Sequence, residues 1–298
     1  MLESLYSNKR EILKKAQDYF LNSSSLILKI GCELEFFLLE KNGQALENQE
    51  LLADLICELK ENLTKNFSLI YQLEKEQGLS QIEIKTSFTP DLSRLCEELE
   101  AAKNFVKNFA EEKNLVASFA SQPFTNDCGS ALQFNISLHE GEKNIFESDE
   151  KILKKVATSL LNKTNEMLIF LAPKAEDYAR FSFETNRNLF KQGKFTAPVN
   201  LSFGADNRTC AIRIPQSKIG KRLEYRIAAA DADLFLSIAA IILAVLAGIG
   251  EEAENFEQIH GNAFDEQYCL KSFCKNLDEA RVVFLREGNF LSSIFVRL

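Results

Sequence analysis

Between Gly31 and Glu40 the chain reads GCELEFFLLE, so Glu33 and Glu35 stand two residues apart inside an otherwise apolar run. Side chains alternate between the two faces of a strand, which sends both carboxylates to the same side. Two like charges about 4 Å apart at an effective dielectric of roughly 20 repel by about 4 kcal/mol, so a fold that keeps them together normally supplies a cation. The pattern recurs. In QIEIK, Gln81, Glu83 and Lys85 alternate with Ile82 and Ile84; in LQFNISL, Gln133, Asn135 and Ser137 alternate with Leu132, Phe134, Ile136 and Leu138; in RLEYRI, Arg222, Glu224 and Arg226 alternate with Leu223, Tyr225 and Ile227. A solvated sheet face is the plain reading of any one such strand. Composition points elsewhere: Glu, Gln, Asn, Ser and Arg are ligand and phosphate-binding types, whereas a merely wet face favours Thr and Lys.

With 298 residues and 46% hydrophobic content the chain can bury a large core. No Pro, Gly or Ser-rich stretch divides it and no repeat is visible, which gives the expectation of one α+β domain over residues 1–298. A formal net charge of -8 argues against a nucleic-acid partner. Seven cysteines without a C-x-x-C pair suit reduced thiols in a cytoplasmic protein, with no zinc site. Glu3, Lys9 and Arg10 at the start, with no apolar run after them, argue against a signal peptide. The apolar stretch Leu234 to Gly250 is short for a membrane span and reads as a core helix, with Asp231 and Asp233 as helix-start acids. Thr89, Pro90 and Asp91 mark the start of another helix, striped by Leu92, Leu95, Leu99, Ala102, Phe105 and Phe109. Ser148 reads as the start of a third, with Ile152, Val156 and Leu160 along one face. His139 and His260 are expected outside the polar strand faces. No phosphate-loop motif and no Ser-His-Asp constellation is evident.

In sequence order these segments resemble the catalytic domain of glutamine synthetase. KREILKKAQDYFL resembles the helix ahead of the family's Glu-x-Glu strand, and EQGLSQIEI supplies Glu76 and Glu83. CGSALQFNISL resembles the glycine-serine and paired-histidine strand. TAPVNLSFGADNRTCAIRIP resembles the Ala-Pro loop with the Asn-Arg and Arg-Ile-Pro strand, and RLEYRIAAADADLFLSIAAIILAVLAGI the Glu-x-Arg strand and its apolar helix. The likeness is strongest over residues 9–249. It implies a curved, mainly antiparallel sheet with helices on its outer face, and a cytoplasmic ligase of nitrogen metabolism that uses ATP and Mg²⁺ or Mn²⁺ to join a carboxylate to an amine through an acyl phosphate. Glu35, Glu76 and Glu83 would hold one ion, and Glu33, Glu224 and the residue at the family's histidine position a second. Arg208, Arg213 and Arg226 match phosphate- and carboxylate-clamping arginines. Asn135 and Ser137 fall on the nucleotide side, and Cys128, Gly129 and Arg226 on the substrate side.

Departures from the family pattern define further expectations. Gln133 and Asn135 replace the two histidines of that strand, and an amide oxygen suits Mg²⁺ better than softer ions. Gln122 replaces a lysine, Cys128 an asparagine, and Phe190 and Thr196 stand where a carboxylate-binding arginine and an ammonium-guarding acid would be. These changes put glutamate as substrate and ammonia as nucleophile in question, and the expected partners are an amino acid, altered from the family's, and an amine or ammonia. A catalytically degenerate metal- or nucleotide-binding homologue with a regulatory role, and a kinase-like phosphoryl transfer, stay open as alternatives. The family's small β-rich domain, of roughly a hundred residues, does not precede Met1 here, so a homo-oligomer smaller than the family's rings is expected.

Overall fold

The structure, a computed structural model, describes residues 2–194, 197–217, 220–250 and 256–286; Thr196 lies outside them. In chain order the elements are α1 (Leu2–Ser7), α2 (Lys9–Ser24), β1 (Ile27–Glu40), α3 (Gln49–Asn66), β2 (Ile70–Lys75), β3 (Gln81–Thr86), α4 (Leu92–Glu112), β4 (Leu115–Ser118) and β5 (Leu132–Glu140). They continue as β6 (Lys143–Asn144), α5 (Ile145–Ser148), α6 (Glu150–Leu171), α7 (Phe183–Lys191), β7 (Phe203–Ala205), β8 (Ile212–Ile214), β9 (Leu223–Tyr225), α8 (Leu234–Gly250) and α9 (Leu277–Leu285).

Among the described residues nine strands form one sheet in the order β2-β3-β1-β5-β9-β8-β7, with β4 also on β1 and β6 on β5. Of these nine strands only β7 and β8 pair in parallel. This is the mixed α+β architecture expected from the sequence. Alternation fixes which face is which. Leu28, Ile30, Cys32, Leu34, Phe36 and Leu38 of β1 join Leu132, Phe134, Ile136 and Leu138 of β5 in the main core, together with the apolar faces of the helices. Glu33, Glu35, Gln133 and Asn135 take the opposite face.

The helices begin where short polar side chains catch their first amides. Asp91 accepts from Arg94 N at 3.1 Å at the head of α4. The cap of α6 is Asp149, which accepts from Ile152 N at 3.0 Å, rather than Ser148; that serine ends α5 one residue earlier, because the carboxylate is the acceptor that reaches the first turn. Asp233 caps α8 through Leu236 N at 2.9 Å and pairs with Lys9 at 3.0 Å. Apolar on every side, α8 is buried among α2, α4 and α6. Its 17 residues do not suffice for a bilayer, and no helix among the described residues is long and apolar enough to cross a membrane.

Small residues bring α6 and α8 close together. Ser159 Oγ donates to Ala244 O at 2.8 Å, and a methyl group built on Gly248 would lie 2.9 Å from both Val156 Cα and Ser159 Cβ. Helix propensity alone would favour Gly248→Ala by about 1 kcal/mol. Overpacking against a neighbouring backbone costs about 1–3 kcal/mol and should win. We therefore expect Gly248→Ala to lower the melting temperature while Gly250→Ala, which meets nothing within 4 Å, does not; a stabilised Gly248→Ala variant would refute the close packing.

Candidate active site

Strand register assembles the polar face. β1 lies between β3 and β5, and its pairing sets Glu35 opposite Glu83. Glu83 in turn faces Glu74 on β2, so three carboxylates form one row across three adjacent strands. A second row runs Lys85, Glu33, Gln133. A third runs Asn135, Glu224, Arg213 across β5, β9 and β8. Like charges directly opposite one another weaken a sheet, so the first row calls for positive charge.

Glu76 sits just past the end of β2 in the hairpin to β3, held by its N–H to Gln81 O at 2.8 Å. Oxygens of Glu74, Glu76 and Glu83 all lie within 4.8 Å of one another. Glu74 was not among the expected ligands. A bulge between Ile70 and Gln72 turns Gln72 and Glu74 onto the same face as Lys85 and Glu83, and nothing in the sequence announces that bulge. Lys85 supplies some of the compensation, at 3.0 Å from Glu83 and in contact with Glu74. It does not suffice. Burial, then the charges of Glu33, Glu35 and Glu76, push the Glu83 carboxyl up to about 9 despite Lys85. Burial and then Glu76 raise Glu35 to about 7. Glu76 itself is raised, mainly by burial, with Lys85 and Arg208 pulling the other way.

Glu35, expected to bind an ion directly, has both oxygens engaged. Oε2 accepts from Gln81 Nε2 at 3.1 Å and Ala131 N at 2.8 Å, and Oε1 from Gln133 Nε2 at 2.9 Å. It contributes charge to the cluster while its lone pairs are shared with the sheet. Glu33 accepts from Asn135 Nδ2 at 3.1 Å, and Asn135 is steadied by Arg222 at 2.8 Å. Hard-cation chemistry fits Glu74, Glu76 and Glu83: three carboxylates at ligand spacing with too few protein cations around them.

The expected second set differs in kind. Glu224 is 3% exposed, yet burial is outweighed by Arg226 and Arg213, which leave its carboxyl below the ordinary value. Arg226 Nη1 lies 2.8 Å from Oε1 and Arg213 Nη1 2.7 Å from Oε2. Arg226 Nη1 also donates to Gln133 Oε1 at 2.9 Å. Arg213 reaches Asp206 at 2.8 Å, and its buried Nε meets no acceptor among the described residues.

Arg180 escaped the sequence reading. It is 2% exposed and donates to Ile227 O at 2.6 Å and Arg226 O at 2.9 Å, tying the 175–181 turn to the residues that follow β9. Its charge also helps hold Glu35 down. The segment DYARF shows no alternation, so only a charged residue between two aromatics hinted at a buried arginine.

The substrate-side residues Cys128 and Gly129 lie on a loop pinned from several directions. Gln122 Nε2 donates to Phe124 O at 2.5 Å and Asp127 O at 2.9 Å. Asp127 accepts from Leu79 N at 3.0 Å and Cys128 N at 2.8 Å, and pairs with Lys194 at 2.5 Å. Gly129 leaves no room for a side chain, since a Cβ would fall 2.6 Å from Ser121 O and 3.0 Å from Arg180 Cγ. Its carbonyl accepts from Gln81 Nε2 at 3.0 Å. Burial raises the Cys128 thiol to about 12 against the pull of Lys194, so it is a neutral wall rather than a nucleophile.

Ser137 continues the β5 row outward. His139 does as well, contrary to the expectation: it shares the parity of Gln133, Asn135 and Ser137 because β5 runs on to Glu140, and its Nε2 lies 3.1 Å from Ser137 Oγ. His260 is exposed in irregular chain just before Gly261, away from the strand faces, as expected. Arg208 is exposed beside Asn207 and Thr209, near enough for its charge to lower Glu76.

The sequence profile described as "Glutamine synthetase, catalytic domain" matches residues 7–297. Gamma-glutamylputrescine synthetase PuuA of Escherichia coli is 26% identical over 276 residues, covering 83% of this chain and 56% of that protein. Glutamate–methylamine ligase of Methyloversatilis universalis is 29% identical over 225 residues, covering 71% and 49%. Glutamine synthetase of Pyrococcus abyssi is 28% identical over 252 residues, covering 79% and 55%. The chain spans about half the length of these curated relatives. Among solved structures, a GmaS/ADP complex superposes with a TM-score of 0.80 at 22% identity, over 97% of this chain and 72% of that one. Plasmodium falciparum glutamine synthetase gives 0.76 at 17%, over 96% and 72%; at these identities the likeness establishes the fold.

The acid row makes a signed prediction. Glu83 and Glu35 hold protons more tightly folded than unfolded, so their contribution is fully present below about 4.5 and is lost as pH rises through about 7 and about 9. The melting temperature of the metal-free protein should fall between about pH 5 and pH 9, and Glu83→Gln should flatten that fall. A wild-type curve that is level or rising over this window would refute the crowding of carboxylates.

Proposed function

Because the chain belongs to the glutamine synthetase family by its catalytic domain, we propose that it is an ATP-dependent carboxylate–amine ligase whose nucleophile is an organic primary amine. The observation that carries this reading is the presence of two opposite groups on one sheet face: the acid row Glu74, Glu83 and Glu35 across β2, β3 and β1, and the guanidiniums of Arg213 and Arg226 around Glu224 on β9. In-line phosphoryl transfer to a carboxylate needs both, cations that offset charge on the phosphate oxygens and planar donors that orient the acceptor.

In the proposed reaction the substrate carboxylate attacks the terminal phosphorus of ATP, releasing ADP and leaving an acyl phosphate. The amine then attacks the acyl carbon, phosphate departs, and the nitrogen gives up a proton to become an amide. Glu76 and Glu83, with Glu74, would hold Mg²⁺, which supplies charge neutralisation at the phosphates when bound. Arg213, with an Nε–H still to be satisfied, faces the phosphoryl group; Arg226 orients the carboxylate. Ser137 and Asn135 extend along β5 toward the nucleotide, and Cys128 and Gly129 wall the acceptor side. An organic amine, rather than ammonia, is favoured by the names of two relatives, which act on putrescine and methylamine.

A second reading, a binding protein without turnover, draws on Gln133, whose amide is spent between Glu35 and Arg226. Phosphate release against a panel of amino acids and primary amines separates the two. Release should depend on both an acid and an amine, and Glu83→Gln should lower it by about 100-fold or more. Thermal melting with Mg²⁺ and ATP at about a hundred times their dissociation constants should show roughly 2.7 kcal/mol of stabilisation. A shift with a flat panel would leave the binding reading; no shift would remove both.

A further inference from the structure

Charge is divided unequally between the two halves of the polar face. Toward β2, the carboxylates of Glu74, Glu76, Glu83, Glu35 and Glu33 gather around one lysine, Lys85, with Arg208 as the next cation. Toward β9 the ratio reverses: Glu224 and Asp206 stand among Arg213, Arg226 and Arg222, and Glu224 is gripped by two guanidiniums, one on each oxygen. Gln133 stands at the boundary. Its oxygen accepts from Arg226 at 2.9 Å and its nitrogen donates to Glu35 at 2.9 Å, so the amide is oriented by its neighbours and offers its oxygen to a guanidinium.

A divalent cation binds where oxygen lone pairs are free and negative charge is in excess. Negative charge is in excess at Glu74, Glu76 and Glu83, and although Lys85 and Gln72 engage both oxygens of Glu74, Glu76 and Glu83 each keep one oxygen with no donor among the described residues. Between Glu33, Gln133 and Glu224 the oxygens of Gln133 and Glu224 are taken by guanidiniums. An ion placed there would have to detach Arg226 from Glu224 and from Gln133 and then sit beside the displaced guanidinium, a like charge in a buried setting. We propose that this chain holds a single divalent cation, on the Glu74, Glu76 and Glu83 side, and that Arg226 and Arg213 occupy the electrostatic place of a second one at Glu224. The proposal rests on the ligase reading above and refines it. Arg226 thereby acts as a positioning residue, fixing Gln133 and through it Glu35, as well as orienting the carboxylate.

Titration of Mn²⁺ alone into the full chain, with free ion followed by electron paramagnetic resonance, tests this directly. One ion per chain is expected. Two ions per chain would overturn the single-ion assignment and leave the ligase reading standing, whereas none would remove both. Glu83→Gln should weaken the single site by at least about tenfold, while Gln133→Met should leave it within about twofold. A tenfold loss in Gln133→Met would make the amide oxygen a ligand and sink the proposal. Glu224→Gln carries the same two outcomes if near-UV circular dichroism shows that Gln133→Met is misfolded.

Discussion

β1 is paired on both edges, and its register is the constraint from which the rest of the polar face follows. Leu28, Ile30, Leu34, Phe36 and Leu38 are all buried on one side of it. At about 1.5–3 kcal/mol for each such side chain, their burial is worth roughly 10 kcal/mol, against about 4 kcal/mol of repulsion for one close carboxylate pair. A slip by one residue would exchange the faces and lose all of the apolar burial at once. The apolar side therefore decides the register, and the acids stay in an alignment that electrostatics alone would reject.

Two solutions to that conflict coexist on one sheet. At Glu224 the protein provides its own compensation through Arg213 and Arg226, and the carboxyl stays ionised. At Glu83 it provides only Lys85, and protons are drawn in from solution instead. Fixed guanidiniums make a permanent donor surface, suited to orienting planar anions. An undercompensated cluster leaves its charge to be balanced from solution, by protons or by a cation. Arg180 links the two regions, since it bonds the backbone of Arg226 while its charge is felt at Glu35.

Much of this was legible in the residues. Period-two alternation in GCELEFFLLE, QIEIK and LQFNISL placed the strands and their polar faces correctly, and the Asp91 start and apolar run of α8 placed two of the helices. What alternation could not convey was pairing. Glu74 reaches the acid row only because a bulge reverses the parity of β2, and bulges leave no mark that pattern reading detects. His139 was misplaced for a related reason: the strand ends after Glu140, so the histidine keeps the parity of Ser137. The saturation of Glu35 by three donors is likewise a three-dimensional fact, because Gln81, Ala131 and Gln133 come from two different segments. Family likeness pointed to Glu33, Glu35, Glu76, Glu83 and Glu224; register determines which neighbours each of them meets.

The loop beside the polar face is fastened differently from the sheet. Asp127 alone joins the β2–β3 hairpin at Leu79, the Cys128 loop and Lys194 just past α7, and it does so through one ion pair and two amide contacts. None of those bonds belongs to a sheet ladder or an apolar interface. Such a clasp can open without disturbing the sheet beneath, so this loop and the polar strand face are free to be retuned independently of each other.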